Sequence, residues 1–134
     1  MTLIDTNILV DILTNDLIWL TWSAEQLDRC RYSGSLYING IAYAEMAVRI
    51  ETEADLQAAL ADLGVQLERT PISALFMAGQ AFRRYRLAGG PRTTILPDFF
   101  IGAHAQVAQW PLLTRDVRRY RTYFPDVELI APIS

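Results

Sequence analysis

The chain opens with MTLIDTN (residues 1–7), a short apolar run that ends in a carboxylate and two turn-forming residues. Thr2 to Ile4 has the composition of a short buried strand, and Asp5 stands where that strand ends. Thr6 or Asn7 is a suitable N-cap for the helical pattern that follows. A strand that runs directly into a helix is typical of α/β domains.

Short apolar segments alternate with helical patterns through the rest of the chain. The further predicted strands are residues 36–38, 65–68, 112–113 and 127–130, and the further predicted helices are residues 17–32, 40–50, 54–63, 72–87, 97–109 and 117–123. This alternation predicts a single domain over residues 1–134, with a three-layer α/β/α architecture and a mainly parallel sheet of four or five short strands.

The composition is that of one globular domain, because 134 residues with 51% hydrophobic and 20% charged side chains can form a core. No uncharged run has the character of a membrane span. The N-terminus has no cationic region before an apolar one, so we expect no secretory signal. Cys30 is the only cysteine, which excludes a disulfide framework and a thiolate metal site. We therefore expect a cytoplasmic protein without membrane contact.

Four carboxylates lie in otherwise apolar stretches: Asp5, Glu45, Asp98 and Asp116. A carboxylate among apolar neighbours is costly unless a cation or hydrogen-bond donors offset its charge. In parallel α/β sheets, ligands bind beyond the carboxyl ends of the strands, where Asp5 and Asp116 are expected. The four acids together therefore suggest a shared metal ion.

Each of these acids also has a structural explanation. Asp5 can bond to backbone amides of its own turn. Glu45 needs no compensation if it is partly exposed, and Arg49 is four residues further along the same helix. Asp98 and Asp116 are both suited to a first helical turn, where the helix dipole favours negative charge. The metal interpretation rests on the four acids occurring together.

The net charge of −3 conceals an uneven distribution. Residues 1–68 carry eleven acids and three arginines, whereas residues 69–134 carry four acids and nine arginines. Arginine suits bidentate contact with phosphate. The alternatives are charge that complements the helix dipole for residues 83–86 and a solvated helix face for residues 115–121, and the position of both clusters beside suspected metal ligands favours binding. The candidate residues for binding a nucleic-acid backbone are Arg83, Arg84, Arg86, Arg92, Arg115 and Arg118.

Other polar and aromatic residues receive simpler interpretations. Asp11 and Asp16 are interpreted as parts of solvated helix faces, and His104 as a packed or surface residue. Tyr120 and Tyr123 lie among the C-terminal arginines, where aromatic rings can stack on the bases of a single-stranded polyanion.

Four short segments contain the four acids and follow one another along the chain: DTN (5–7), AE (44–45), LPDFFIGAHA (96–105) and LTRD (113–116). In this order and spacing they resemble the PIN-domain ribonucleases, specifically the VapC-type toxins of bacterial toxin–antitoxin pairs. The resemblance covers essentially the whole chain. A Gly-Gly-Pro-Arg loop at residues 89–92 is similar to that of a subset of this family.

The resemblance implies a PIN-like domain in which the four acids form the metal site, with Thr6, Asn7 or Thr114 as supporting groups. It further implies a Mg²⁺- or Mn²⁺-dependent endoribonuclease that acts on RNA, forms a homodimer and is inhibited by a cognate antitoxin. Gly40 departs from the pattern, because many relatives have proline at the start of the helix that carries Glu45.

Two alternatives stay open at this point. In the first, the chain is a non-catalytic PIN-like binding module that acts through dimer and antitoxin contacts, using apolar residues within 12–20. In the second, Asp5 is the nucleophile of a phosphatase-type reaction. That reaction normally needs a second aspartate two residues on, where Asn7 stands.

Overall fold

The structure is a computed structural model that describes residues 1–133. At its centre is a sheet of five strands: β1 (Thr2–Ile4), β2 (Leu36–Asn39), β3 (Val65–Glu68), β4 (Leu112–Leu113) and β5 (Leu129–Ile130). The strands follow the order β3-β2-β1-β4-β5, and every neighbouring pair is parallel. The first strand of the chain therefore lies in the middle of the sheet.

Seven helices pack around this sheet within residues 1–133: α1 (Thr6–Leu13), α2 (Leu20–Ser33), α3 (Gly40–Ala47), α4 (Glu53–Leu63), α5 (Ile72–Leu87), α6 (Pro97–Ala108) and α7 (Arg118–Tyr123). The arrangement is a three-layer α/β/α fold, which confirms the predicted fold class. None of the helices in the described part of the chain is long and apolar enough to cross a lipid bilayer.

Short-range signals account for several of the element boundaries. The Asn39 side chain caps α3 by accepting hydrogen bonds from the backbone N–H groups of Ile41 and Ala42, at 3.1 and 3.0 Å. Gly64 ends α4 in a left-handed conformation with φ of 71°. Pro97 occupies the first position of α6, where its missing N–H costs no hydrogen bond.

The start of α2 differs from the prediction. The helix begins at Leu20 rather than Leu17, because the Asp16 carboxylate accepts hydrogen bonds from the backbone N–H groups of Ile18 and Trp19 at 2.9 and 2.8 Å. These bonds close a turn before the helix. The interpretation of Asp16 as part of a solvated helix face was therefore wrong.

Smaller differences affect several other boundaries. α3 ends at Ala47 rather than Ile50, and the last strand begins at Leu129, two residues later than predicted. α1 begins at Thr6, so the N-cap position falls on Asp5 and not on either predicted residue. Such shifts of a few residues are ordinary at fraying ends, and none of them changes the topology.

The register of the central strands determines which residues meet at the carboxyl edge of the sheet. Ile4 of β1 is paired with Leu113 of β4, and the Asp5 N–H donates to the Leu113 carbonyl oxygen at 2.9 Å. The next residues along the two strands, Asp5 and Thr114, therefore lie side by side. They form the floor of the candidate site.

Candidate functional site

Asp5 is almost fully buried, at 5% exposure, and its carboxylate is held by three side chains. The hydroxyl groups of Thr114 and Tyr120 each donate to Oδ2 at 2.8 Å, and the Asn7 amide donates more weakly to the same atom at 3.4 Å. Within residues 1–133, no side chain donates a hydrogen bond to Oδ1, although the Thr6 backbone N–H also helps to stabilise the charged carboxylate. The carboxylate is thus fixed through one oxygen and leaves the other available to a ligand.

Burial raises the pKa of Asp5 from its ordinary value of 3.8 to about 6, and the nearby charge of Asp98 adds to the increase. The hydrogen bonds from Tyr120 and Thr114 act in the opposite direction, because they stabilise the charged form. A buried carboxylate with an acidic neighbour and this pKa is electrostatically suited to a cation, which would relieve both effects.

Glu45 projects from the middle of α3 and is half-buried. The Thr6 hydroxyl donates to its Oε1 at 2.7 Å, which links the first turn of α1 to α3. No ion pair joins Glu45 to Arg49 within residues 1–133. The pairing offered as a structural explanation for Glu45 is therefore not observed.

Asp98 lies in the first turn of α6, as predicted, and its carboxylate is one-third exposed. The Arg119 guanidinium of α7 donates to Oδ2 at 3.0 Å. Burial raises the pKa of Asp98 above its ordinary value, against the opposing effect of Arg119. Arg119 was noted from the sequence only as part of the basic cluster around Asp116, because nothing in a helix face of arginines indicates which one turns toward a carboxylate.

One cavity of about 650 Å³ brings these three acids together, and we call it the acidic cavity. Asp5, Glu45 and Asp98 line it, together with Thr6, Asn7 and Arg49. Arg49 is exposed and makes no ion pair in the described part of the chain. The sequence interpretation considered Arg49 only as a partner for Glu45, and missed that it provides an available cation beside three acids.

The donor chemistry of the acidic cavity fits a hard divalent cation. Each of its three carboxylates has one oxygen held by a hydroxyl, amide or guanidinium donor and the other without a side-chain hydrogen bond in residues 1–133. Mg²⁺ and Mn²⁺ prefer such oxygen ligands and keep several waters. Within residues 1–133, however, no three acidic, histidine or cysteine side chains stand close enough together to form a complete ion-binding cluster.

Asp116 does not line the acidic cavity, although its negative charge contributes to the raised pKa of Asp98. Its carboxylate is mostly exposed and faces Arg118, whose backbone N–H and Nε are 3.4 and 3.8 Å away. It lines a second cavity, which shares Asp98 with the acidic cavity. The expected position in a first helical turn was wrong, because α7 begins only at Arg118. The Thr114 hydroxyl oxygen instead accepts a hydrogen bond from the Asp116 backbone N–H at 3.2 Å, while its single proton is donated to Asp5.

Asp11 is fully buried rather than solvated, so its interpretation as a surface residue was wrong. The Arg115 guanidinium binds it in a bidentate manner, through Nε at 2.7 Å and an Nη at 3.0 Å, and the Ser23 hydroxyl donates to it at 2.7 Å. Arg115 also lies 5.6 Å over the ring of Trp19. This ion pair gives Arg115 a structural role. Because Arg115 lines the acidic cavity as well, its predicted contact with RNA stays a prediction.

Other predicted site residues lie further from the acids. Arg86 donates to the carbonyl oxygens of Gly90 and Arg92, at 3.3 and 2.7 Å, and thereby holds the loop after α5. Arg83 and Arg84 are exposed and border neither cavity. His104 is buried with its ring beside Trp110, which is the packed one of its two predicted positions, and burial lowers its pKa.

Tyr120 is buried at 1% exposure, so the suggestion that it stacks on bases was wrong. Its pKa is raised well above the ordinary value by burial and by the negative charge of Asp5, which keeps its hydroxyl protonated as a donor. The spacing of Tyr120 and Phe124, four residues apart and both buried, is the sequence signal that could have placed this face of α7 inward.

We predict that Tyr120→Phe raises the pKa of Asp5 further, because the mutation removes a donor that stabilises the carboxylate. Protons should then compete with a bound cation for the Asp5 carboxylate up to a higher pH. The measurement is the increase in thermal midpoint on addition of Mn²⁺, followed from pH 5 to pH 9. The pH at which half of this increase is reached should be higher in the variant, and an unchanged value would contradict the assigned role of the Tyr120 hydroxyl.

The fold and the arrangement of acids define a class of protein. The model of the PIN-domain family matches residues 2–125, and the chain belongs to that family. No curated protein sequence matches closely enough to be called a relative.

Several solved toxin–antitoxin complexes contain chains of similar structure. One is VapBC2 from Rickettsia felis bound to a promoter DNA fragment, with a TM-score of 0.71 and 16% identity over 97% of both chains. Another is a toxin–antitoxin complex from Klebsiella pneumoniae, with a TM-score of 0.69 and 21% identity over 95% of both chains. A third is VapBC-1 from nontypeable Haemophilus influenzae, with a TM-score of 0.69 and 19% identity over 97% of this chain and 96% of that one. At these identities the likeness establishes a shared fold.

Proposed function

We propose that this protein is a divalent-metal-dependent endoribonuclease and the toxin of a VapC-type toxin–antitoxin pair, acting in the cytoplasm. The observation that carries the proposal is the acidic cavity, in which Asp5, Glu45 and Asp98 each keep one carboxylate oxygen available. Membership of the PIN-domain family supports nuclease chemistry at this position. The solved toxin–antitoxin complexes of the same fold support the toxin role.

In this proposal Asp5, Glu45 and Asp98 hold Mg²⁺ or Mn²⁺, and Asp116 contributes from the rim of the site, directly or through water. A divalent cation bound there would acidify an attacking water and neutralise charge at the scissile phosphate. Because the present spacing does not complete a cluster, cation binding is expected to draw the three carboxylates closer together.

The residues around the acids would orient them for this chemistry. Thr114, Tyr120 and Asn7 hold Asp5, and Thr6 holds Glu45, so both side chains are positioned before a ligand arrives. Arg49, at the wall of the same cavity, is available to a phosphate group of the RNA. The three predicted supporting residues thus all have a contact with a proposed ligand.

We further propose a cognate antitoxin and a homodimer as partners. Two exposed apolar surfaces are available for these contacts. Leu17 and Ile18 are exposed in the turn before α2, and α5 exposes Ile72, Leu75 and Phe76 in its first turns. The α1–α2 region was the surface predicted for such contacts from the sequence. Light scattering of the purified protein, alone and with the candidate antitoxin, would determine both stoichiometries.

The direct test is cleavage of total RNA by the purified protein, with sequencing of the RNA ends. We expect cleavage in Mg²⁺ or Mn²⁺, none in excess EDTA, and none with Asp98→Asn. Asp62→Asn is the matched control, because Asp62 is exposed on α4 and borders neither cavity. Cleavage that persists in EDTA would contradict the metal-dependent mechanism. A wild-type protein that binds an antitoxin but cleaves no RNA would favour the non-catalytic binding module.

A further inference from the structure

The second cavity at the site has a different chemical character from the first. It has a volume of about 330 Å³ and meets the acidic cavity at Asp98, which lines both. We call it the aromatic cavity. Its other lining residues are Tyr85, Tyr123, Thr122, Asp116, Arg118 and Arg119. A substrate bound across Asp98 would therefore contact both cavities.

The aromatic side chains of this cavity are held in place by a buried neighbour. Phe99 is fully buried and packs against both tyrosines, with ring centroids 5.6 Å from Tyr85 and 5.3 Å from Tyr123. Tyr85 and Tyr123 are themselves 6.3 Å apart and only partly buried. The rings therefore lose little conformational freedom when a ligand packs on them.

The two arginines of the aromatic cavity are differently engaged. Arg119 bonds to Asp98 and lies 5.6 Å over the Tyr85 ring, so it forms part of the wall. The Arg118 side chain is 92% exposed, and its only ion pair within residues 1–133 is with Asp116, at 3.8 Å. An exposed pair at this distance is weak, so the Arg118 guanidinium is available to a phosphate.

We propose that the aromatic cavity binds the nucleotide next to the scissile phosphate, with its base on the ring of Tyr123 and its phosphate at Arg118. This inference rests on the proposed ribonuclease function and assigns the substrate class as single-stranded RNA. A base can reach Tyr123 only when it is unstacked from its neighbours, and aromatic rings beside a cation are the elements that bind unstacked bases. The cavity would thus favour RNA strands in which this base is unstacked, and its size would restrict which base fits at that position.

The test is a binding experiment that does not depend on cleavage. A fluorescent single-stranded RNA is titrated in EDTA, with each nucleotide replaced in turn by an abasic one. For the wild type, one position should show a loss of affinity of about 10-fold. Tyr123→Leu should weaken binding of the intact RNA by a similar factor and become insensitive to the abasic nucleotide at that position. Tyr123→Phe should retain the wild-type affinity, because it keeps the aromatic face.

Two further variants complete the test: one is a control for stacking, and the other tests the phosphate contact. Tyr32→Leu changes a tyrosine that is 96% exposed on α2 and borders neither cavity, so it should leave binding unchanged. Arg118→Ala changes an exposed side chain and should not affect folding. In this variant the slope of log affinity against log salt concentration should become shallower by about one, as expected for one lost phosphate contact.

Two results would overturn the proposal. One is that the losses of affinity caused by Tyr123→Leu and by an abasic nucleotide add together at every position of the RNA. The other is that the salt dependence of affinity is unchanged in Arg118→Ala. If these losses are additive while the wild type cleaves RNA in Mn²⁺, the assignment of the aromatic cavity fails and the ribonuclease function stands. If the losses are coupled but no cleavage occurs in Mn²⁺, the aromatic cavity binds RNA and the ribonuclease function fails.

Discussion

Asp5→Asn should abolish metal-dependent RNA cleavage and, at the same time, make the metal-free protein more stable. The loss of activity, about 100- to 1,000-fold or more, follows from removing a proposed metal ligand and its contribution to charge stabilisation. The gain in stability follows from the pKa of Asp5, which is raised to about 6 in the folded protein. An amide of the same shape can still accept the hydrogen bonds from Thr114 and Tyr120 through its oxygen.

The sign of the stability change depends on pH. The folded protein binds the Asp5 proton more tightly than the unfolded chain, since the pKa is about 6 against 3.8. Above pH 6 the ionised carboxylate therefore destabilises the fold, by about 3 kcal/mol for a difference of about two pKa units. As pH falls through 6 toward 4, the carboxylate takes up its proton and this destabilisation disappears. Asp5→Asn should thus be more stable than the wild type at pH 8 and equal to it near pH 4.

The measurement is the free energy of unfolding by urea in EDTA, at intervals from pH 4 to pH 8, for the wild type, Asp5→Asn and Asp62→Asn. The difference between the first two isolates Asp5, because other groups such as His104 titrate in both proteins. Mn²⁺ should stabilise the wild type and Asp62→Asn but not Asp5→Asn. A variant that is less stable than the wild type at pH 8, or that is still stabilised by Mn²⁺, would contradict the assigned role of Asp5.

Arg115→Met should destabilise the protein by about 3–5 kcal/mol, which is a large fraction of the stability of a small domain. The reason is the buried carboxylate of Asp11, which has no exposure and receives two hydrogen bonds from the Arg115 guanidinium. Without Arg115 the charge keeps only the Ser23 hydroxyl as a partner. A buried charge that loses its counter-ion costs much more than an exposed ion pair contributes.

The double variant Asp11→Asn with Arg115→Met should recover most of this loss, because the neutral amide no longer needs a counter-ion. Arg118→Met is the matched control, since its ion pair with Asp116 is exposed, and it should leave the free energy of unfolding unchanged within error. Urea unfolding at pH 7 gives all four values. Equal losses in the single and double variants would show that Arg115 acts through packing on Trp19 and not through its charge.

The sequence predicted the architecture because its strongest signals act within a few residues. Asn39 caps the next helix, Gly64 ends one in a left-handed conformation and Pro97 begins another, and each effect depends on residue type and position within a single turn. The wrong prediction for the start of α2 has its cause in one side chain. The Asp16 carboxylate closes a turn before the helix, whereas the apolar spacing of Leu17 and Leu20 had indicated a helix that already begins at Leu17.

The candidate site was predicted in part. Asp5, Glu45 and Asp98 were selected as acids in apolar surroundings, and the structure brings all three to one cavity. Asp116 was selected by the same criterion but lies in the neighbouring cavity. That all four bind one ion stays a prediction. The criterion identifies acids that need compensation, but it contains no information on the direction in which each side chain points.

Residue types and spacing by themselves determined the alternating strands and helices, the acids at strand ends and the family pattern, because caps, turns and apolar periods operate over a single turn or strand. Only the tertiary structure decided which side chains meet. Asp11 contacts Arg115, which is 104 residues away, and Tyr120 reaches Asp5 across 115 residues. Both contacts exist because β1 pairs with β4 in the sheet, which places α1 beside the segment that follows β4. Strand order is a property of the whole packed core, so no local signal could have predicted these partners.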